Sequence, residues 1–449
     1  MIHLFDLPNE VLCAIGIEVP VKTLKDLRLC NSRLREALAP VIFASVAIDI
    51  APRAAQAYAC SRYVKRLSIG SWRQCSKQLD LSALRYLRNV RVVRWQLAGH
   101  ESQETVTRIF GYLSSLPFLS ELHFISYQPS LFPISFDRYP IRNLSVLSVQ
   151  GPYSDGLLGI TPSLFHLISN NPFLTSLSLD IAWSSNERFS DLMHNLPPDF
   201  FASLRHLRLP RWHVDISPAC IKMMPNLVSL DVTLPPSPDA DHNVLWAILR
   251  EEHVYLKDLS VTVVTRELLD YLQSYTGLES FVLNDVESDH SLSKQFYTKV
   301  LPKHAETLVS LTVDGRNNHE WCLTLENAKV FQGCKNLKDL SVAVKTDDLG
   351  VIETLLPSVP RSLRTLCLTW NTSNPECFRS FFFKLYDSDL ESCTSTSNQT
   401  LIIYADIVYL LGRLDKADAD AGFVFRGFKT HRSQLNWTAA KCLCGRAPA

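Results

Sequence analysis

Apolar residues recur along most of the chain in one phrase: apolar, two variable positions, apolar, one variable position, apolar. It reads Val64/Leu67/Ile69, Leu87/Val90/Val92, Leu119/Leu122/Phe124, Leu144/Leu147/Val149, Leu174/Leu177/Leu179 and Leu204/Leu207/Leu209. It continues as Leu227/Leu230/Val232, Leu256/Leu259/Val261, Leu278/Phe281/Leu283, Leu308/Leu311/Val313, Leu337/Leu340/Val342 and Leu363/Leu366/Leu368. The starts lie 22 to 32 residues apart. Copies at such a period indicate a stack of units, each burying its apolar face against the next. The alternation closing each phrase predicts a short strand with one face buried.

Between phrases the apolar spacing turns helical. Val106, Ile109, Phe110 and Leu113 share a face, as do Leu164, Leu167 and Ile168. So do Phe189, Leu192, Met193 and Leu196, and then Leu268, Leu269 and Leu272. Asp347 or Asp348 can cap a helix carrying Leu349, Ile352, Leu355 and Leu356. Asn374-Pro375 opens another, with Phe378, Phe381, Phe382 and Leu385 inward. Asp387 to Thr400 has the composition of a loop. Leu401 to Leu414 is expected to cap the open end of the stack, ahead of a loosely packed tail through Ala449.

The first fifty residues follow a different pattern. Val11, Leu12 and Ile15, then Leu24 and Leu27, then Leu34 and Leu38 predict three short amphipathic helices. Pro8 suits a helix start, Glu10 favours the positive end of the helix dipole, and Pro20 ends the first helix. Gly16 inside that helix costs about 1 kcal/mol relative to alanine. Three helices in so short a segment do not bury a sufficient core alone, so the segment must lean on something.

Two resemblances follow. The strand–helix phrases over about residues 60–390 resemble the leucine-rich-repeat family, whose fold is a curved stack with a parallel sheet inside and helices outside. The asparagine that regular repeats carry after the strand is missing from most copies, so the array is divergent. The N-terminal segment resembles the F-box, the adaptor-docking segment of substrate receptors in SCF-type cullin–RING ubiquitin ligases. The residues that carry it are Leu7-Pro8, Glu10, Leu12, Ile15, Leu24, Leu27, Leu29-Cys30, Arg33-Leu34, Pro40 and Phe43. Leu34 stands where many F-boxes have tryptophan. The resemblances together imply an F-box at 1–50, a solenoid of about 12 units at 51–390, and a loop, cap and tail at 391–449.

By resemblance, Leu7, Pro8, Val11, Leu12, Ile15, Leu24 and Leu27 would dock a Skp-type adaptor and through it a cullin. The repeats would hold a substrate protein for ubiquitin-dependent degradation. Apolar helix face would stay exposed without the adaptor, and poor solubility of the lone chain is expected. A second reading keeps the helices as a cap on the first repeat and the array as a protein-binding scaffold without a ubiquitin role.

Composition narrows the classes. The chain has 449 residues with 45 basic and 45 acidic side chains. A general nucleic-acid or anionic-membrane binder would show a basic excess. No window approaches the roughly 18 apolar residues of a membrane span. No secretory signal is read at the start, so the 12 cysteines are expected reduced and the compartment cytoplasmic or nuclear. The sequence carries no phosphate loop, no Gly-x-Ser-x-Gly elbow and no second histidine after His319-Glu320. Cys442 and Cys444 form a close pair with no second pair nearby, and are read as tail thiols. Asn143, Asn371, Asn398 and Asn436 begin glycosylation triplets that are read as chance. The reading is therefore an interaction protein, with no catalytic residue, cofactor or metal.

One constellation suggests a binding rim. Tryptophan adjoins arginine after the strand at Trp72-Arg73, Arg94-Trp95 and Arg211-Trp212, with Trp183 and Trp370 similarly placed. Tryptophan and arginine dominate binding hot spots. The competing reading is that these indoles plug the edges of the core.

Overall fold

The structure is a computed structural model. It describes residues 7–48, 61–70, 81–97, 101–126, 136–151, 161–181, 196–210, 218–232, 242–284, 290–314, 319–345, 351, 355, 360, 362–371, 400–404 and 437–438. The chain forms two compact units, Met1–Val214 with Lys222–Asn226, and Asp215–Ile221 with Leu227–Ala449.

The first unit opens with three helices, α1 (Asn9–Glu18), α2 (Val21–Cys30) and α3 (Ser32–Ile42). Seven described strands follow: β1 (Ser45–Ile48), β2 (Arg66–Ile69), β3 (Val92–Leu97), β4 (Glu121–Ser126), β5 (Val146–Gln150), β6 (Ser176–Asp180) and β7 (His206–Arg208). Each pairs in parallel with the next. The second unit repeats the scheme with β8 (Ser229–Val232), β9 (Asp258–Val261), β10 (Ser280–Leu283), β11 (Ser310–Val313), β12 (Asp339–Lys345), β13 (Thr365–Asn371) and β14 (Thr400–Tyr404). β8 to β14 pair in parallel in sequence order, and β15 (Trp437–Thr438) adds antiparallel to β14. Sequential parallel pairing, with helical or irregular crossovers and one apolar face per strand, is the leucine-rich-repeat solenoid.

Register explains why the phrase recurs. Its middle residue stacks on its counterparts: Leu67, Val93, Leu122, Leu147, Leu177 and Leu207 are level across β2 to β7. Its last residue forms a second row, Ile69, Trp95, Phe124, Val149 and Leu179. Both rows are buried. A one-residue slip would turn every such side chain to water, so the rows hold the register. The second copy is therefore Val90/Val93/Trp95, three residues later than the phrase Leu87/Val90/Val92 read from spacing. Leu87 is buried but closes the turn at Leu81–Tyr86, its N–H donating to the Leu84 carbonyl.

Helices and turns cover the far side of the buried rows. α4 (Gln103–Ser114) is capped by Ser102, whose hydroxyl accepts the Thr105 N–H, and buries Val106, Ile109, Phe110 and Leu113. Arg266–Ser274 is capped by Thr265 and buries Leu268, Leu269 and Leu272. Leu164, Leu167, Ile168, Leu196 and Leu355 are also buried as the spacing implies. The helical readings at Phe189, Leu192, Met193, Leu349, Ile352, Leu356 and 374–385 lie outside the described residues.

The ladder also runs past both ends of the phrases. β1 lies inside the segment read as purely helical, and Leu401 and Ile403 of β14 are in register with Leu366 and Leu368. The start of the segment expected as a separate cap is thus one more strand.

Polar side chains stitch neighbouring units at three levels. The residue just before the phrase donates to a main-chain carbonyl one unit back: Asn89 to Arg62, Asn226 to Ala202, Asn336 to Glu306 and Ser362 to Lys335. The residue just after the first apolar position does the same through hydroxyls, Ser120 to Arg91, Ser145 to Ser120 and Thr175 to Ser145. Deeper in, a side chain in a helix or just past its end accepts the N–H of the preceding phrase's first residue. Asn171 accepts from Leu144, Tyr271 from Leu256, and His304 from Leu278. A backbone group buried without a partner costs about 1–3 kcal/mol, and these groups supply the partner. The asparagines of this array thus stand before the strand rather than after it.

Candidate functional site

The helices α1 to α3 form the candidate site. Leu12 of α1, Leu24 of α2, and Leu34, Ala37 and Leu38 of α3 make a small core, with Leu7, Val19, Leu27, Val41 and Ile42 packed on it. Gly16 lies where α1 meets α3. A Cβ there would sit 2.8 Å from Leu38 Cδ2 and 3.7 Å from Leu24 Cδ2. The glycine that weakens an isolated helix is what lets these two helices approach.

Arginine and asparagine fix the entry of the chain. The Arg33 guanidinium donates to the Leu7 carbonyl at 2.9 Å and to Asn9 Oδ1 at 3.5 Å. Asn31 caps α3 by accepting the Arg33 N–H at 2.7 Å. The other side of the helical unit leans on the repeats. α3 touches the turn at Ser61–Tyr63, and the Ala44 carbonyl accepts the N–H groups of Lys65 and Arg66 ahead of the β1–β2 pairing.

These contacts divide the seven residues that the resemblance assigns to adaptor docking. Leu12 and Leu24 are buried in the unit's own core, so neither offers a face to another protein. Leu7 and Leu27 are half-buried against that core. Pro8, Val11 and Ile15 face outward, with Val11 41% and Ile15 43% exposed. Positions 8, 11 and 15 share a helix face, so they form a ridge beside the buried Leu12 stripe. Ile17, Val21 and Leu29 are also exposed. Spacing did not select them because they fall off the core-facing period; being apolar off that period was the available signal.

The tryptophan–arginine rim comes apart at Trp95. It is fully buried in β3, with the rings of Phe110 and Phe124 edge-on at 5.0 and 5.2 Å. It is the last apolar residue of its phrase and a core residue, which removes it from any binding rim. Arg94, its neighbour, is exposed on the opposite strand face. Trp370 lies in β13, level with Val344. Trp72, Arg73, Trp183, Arg211 and Trp212 lie outside the described residues. The other described tryptophans away from strand ends, Trp246 and Trp321, are buried.

The cysteines described as free are Cys13, Cys30, Cys220, Cys322, Cys334 and Cys367. Burial pushes the Cys334 thiol up to about 11. Among the described residues no group of histidine, cysteine or carboxylate side chains is arranged to hold a metal ion. Cys442 and Cys444 are outside them. Among the same residues no helix is long and apolar enough to cross a membrane.

No protein-family model matches the chain, and no curated protein matches it in sequence. Solved structures are similar at low identity. A chain of the yeast Rad7 and Elc1 complex is 15% identical with a TM-score of 0.44, covering 91% of this chain and 94% of that one. An internalin from Listeria monocytogenes is 13% identical with a TM-score of 0.30, covering 89% and 94%. A leucine-rich-repeat protein of Leptospira interrogans is 14% identical with a TM-score of 0.28, covering 75% and 92%.

Proposed function

We propose that this chain is a substrate receptor: its N-terminal helices dock a Skp-type adaptor of a cullin–RING ubiquitin ligase, and its repeats hold the protein to be marked. The observation that carries the reading is the outward ridge of Pro8, Val11 and Ile15 on a helical unit whose core is already filled by Leu12, Leu24, Leu34 and Leu38. Apolar side chains left in water beside a filled core favour cover by a second protein. The F-box resemblance of the same segment supplies the identity of that cover. An interface of about 1,600 Å² is the usual size for such docking. Within the proposal, the receptor does no bond chemistry. It raises the effective concentration of a substrate lysine near the charged ubiquitin-conjugating enzyme.

A second reading has its own support. β1 and the Ala44 carbonyl tie the helices to the first repeat, as a cap on a scaffold would be tied. Co-expression of the full chain with the adaptor separates the two. Substrate-receptor function predicts co-purification that is lost in a Val11→Glu, Ile15→Glu variant of unchanged thermal stability. No adaptor recovered with either chain favours the cap.

A further inference from the structure

The entry edge of the first unit's strands is cationic. Two residues before the first apolar residue of a phrase stand Arg62, Arg88 and Arg142, and directly after it Lys65, Arg91 and Arg205, all exposed. The positions 62–65, 88–91, 117–120, 142–145, 172–175 and 202–205 contain no aspartate or glutamate. The backbone puts these positions in line. The N–H of Arg91 donates to the Lys65 carbonyl, Ser120 to Arg91, Ser145 to Ser120, Thr175 to Ser145 and Arg205 to Thr175. Neighbouring rungs are about 4.8 Å apart, so Lys65 and Arg91 put like charges side by side, an arrangement that destabilises a sheet.

The equivalent edge of the second unit differs. It mixes two carboxylates, Glu279 and Glu306, with Lys257, Lys335, Lys338 and Arg364, and Lys257 pairs with Glu279 at 2.7 Å. In the first unit the neighbouring Glu121 lies 3.8 Å from His123, in β4 itself. Large apolar side chains accompany the cations on the same edge. Phe118 is 57% exposed and Phe173 75%, both at the position just before the phrase. A cavity of about 540 Å³ is lined by Ser61, Arg85, Tyr86 and Arg88, the last of these on the same edge.

We infer that this edge is an interaction surface for an acidic protein segment, its carboxylates set against the arginine row and its apolar side chains against Phe118 and Phe173. Charge complementarity identifies the occupant, since an anionic partner relieves the repulsion along the row. Single-stranded nucleic acid fits less well. It needs open aromatic faces for successive bases, but Phe118 and Phe173 are separated by the rung of Asn143, and the Arg62 and Arg85 guanidiniums each lie 4.6 Å over the adjacent Tyr63 and Tyr86 rings. The inference rests on the repeats being a protein-binding surface but not on adaptor docking, which the co-expression experiment reads separately.

The test is fluorescence anisotropy with the full chain and three labelled probes: a glutamate-rich peptide with interspersed leucines, its glutamine counterpart, and an oligothymidylate of equal length. The acidic peptide is expected to bind best, with affinity falling as salt rises. Arg88→Glu, Arg91→Glu, Arg142→Glu should weaken it by roughly tenfold or more while the melting midpoint stays put. Phe118→Ser, Phe173→Ser should weaken it without changing the salt dependence. Lys335→Glu, Lys338→Glu in the second unit should leave it unchanged. Equal binding of the glutamine peptide, tighter binding of the oligothymidylate, or indifference to the arginine reversals would each overturn the inference.

Discussion

Trp95 and His304 show how far a single residue can be read from spacing. Leu87, Val90 and Val93 are three apart, so the phrase fits two frames, and only pairing with Leu67 and Leu122 selects the later one. In the earlier frame Trp95 falls past the strand and looks like a rim residue; in the real one it fills the core. Trp95→Ala should therefore cost about 3–5 kcal/mol, read as a lowered denaturation midpoint, whereas Arg94→Ala should stay within about 0.5 kcal/mol. His304 carries its own test. Its Nδ1 accepts the Leu278 N–H at 3.3 Å, so Nε2 holds the proton and donates to the Leu272 carbonyl at 2.9 Å. Burial, with Lys303 beside it, lowers its pKa below the ordinary 6.5. Below pH 6.5 the unfolded chain then binds the proton more readily than the folded one. His304's contribution is complete above that pH and is lost as the pH falls. Denaturation midpoints from about pH 8 down to about pH 5.5 should drop more for the native chain than for His304→Gln, which keeps an acceptor and does not titrate.

At the scale of the element, a strand with one buried face must alternate, which made the strands of the phrases legible, the second one read three residues early. β1 and β14 were not, since Ser45–Ile48 has too few large apolar residues to register, and Leu401–Ile403 is an apolar run without the preceding phrase. The stitching side chains were legible only in part. Asparagine directly before the first apolar residue, at Asn89, Asn226 and Asn336, was the signal. Asn171 had none, because it stands three residues before Leu174, outside the phrase and off the position directly before it. It is buried, accepts the Leu144 N–H and donates to the Ile141 and Leu167 carbonyls. Asn171→Ala should cost about 3 kcal/mol, having stranded three buried groups, against about 0.5 kcal/mol for Asn336→Ala, whose carbonyl partner can turn to water. Chemical denaturation of both variants measures the difference.

The whole molecule joins a helical unit with an uncovered apolar ridge to a repeat array whose two units differ in edge charge, and a chain-wide balance of 45 against 45 concealed that difference. The cysteines report how tightly the array is closed. Brief alkylation of the native chain near pH 8 should label the exposed Cys30 and spare Cys220, Cys322 and Cys334; labelling of all of them before unfolding would contradict the core described above. The central claim is that the ridge on α1 awaits a second protein, and hydrogen–deuterium exchange of the full chain with and without purified Skp-type adaptor tests it most directly. The account predicts that the amides of Asn9–Glu18 slow markedly when the adaptor is added, and that the Val11→Glu, Ile15→Glu variant shows no such change. Exchange over α1 that is already slow in the lone chain and indifferent to the adaptor would contradict it.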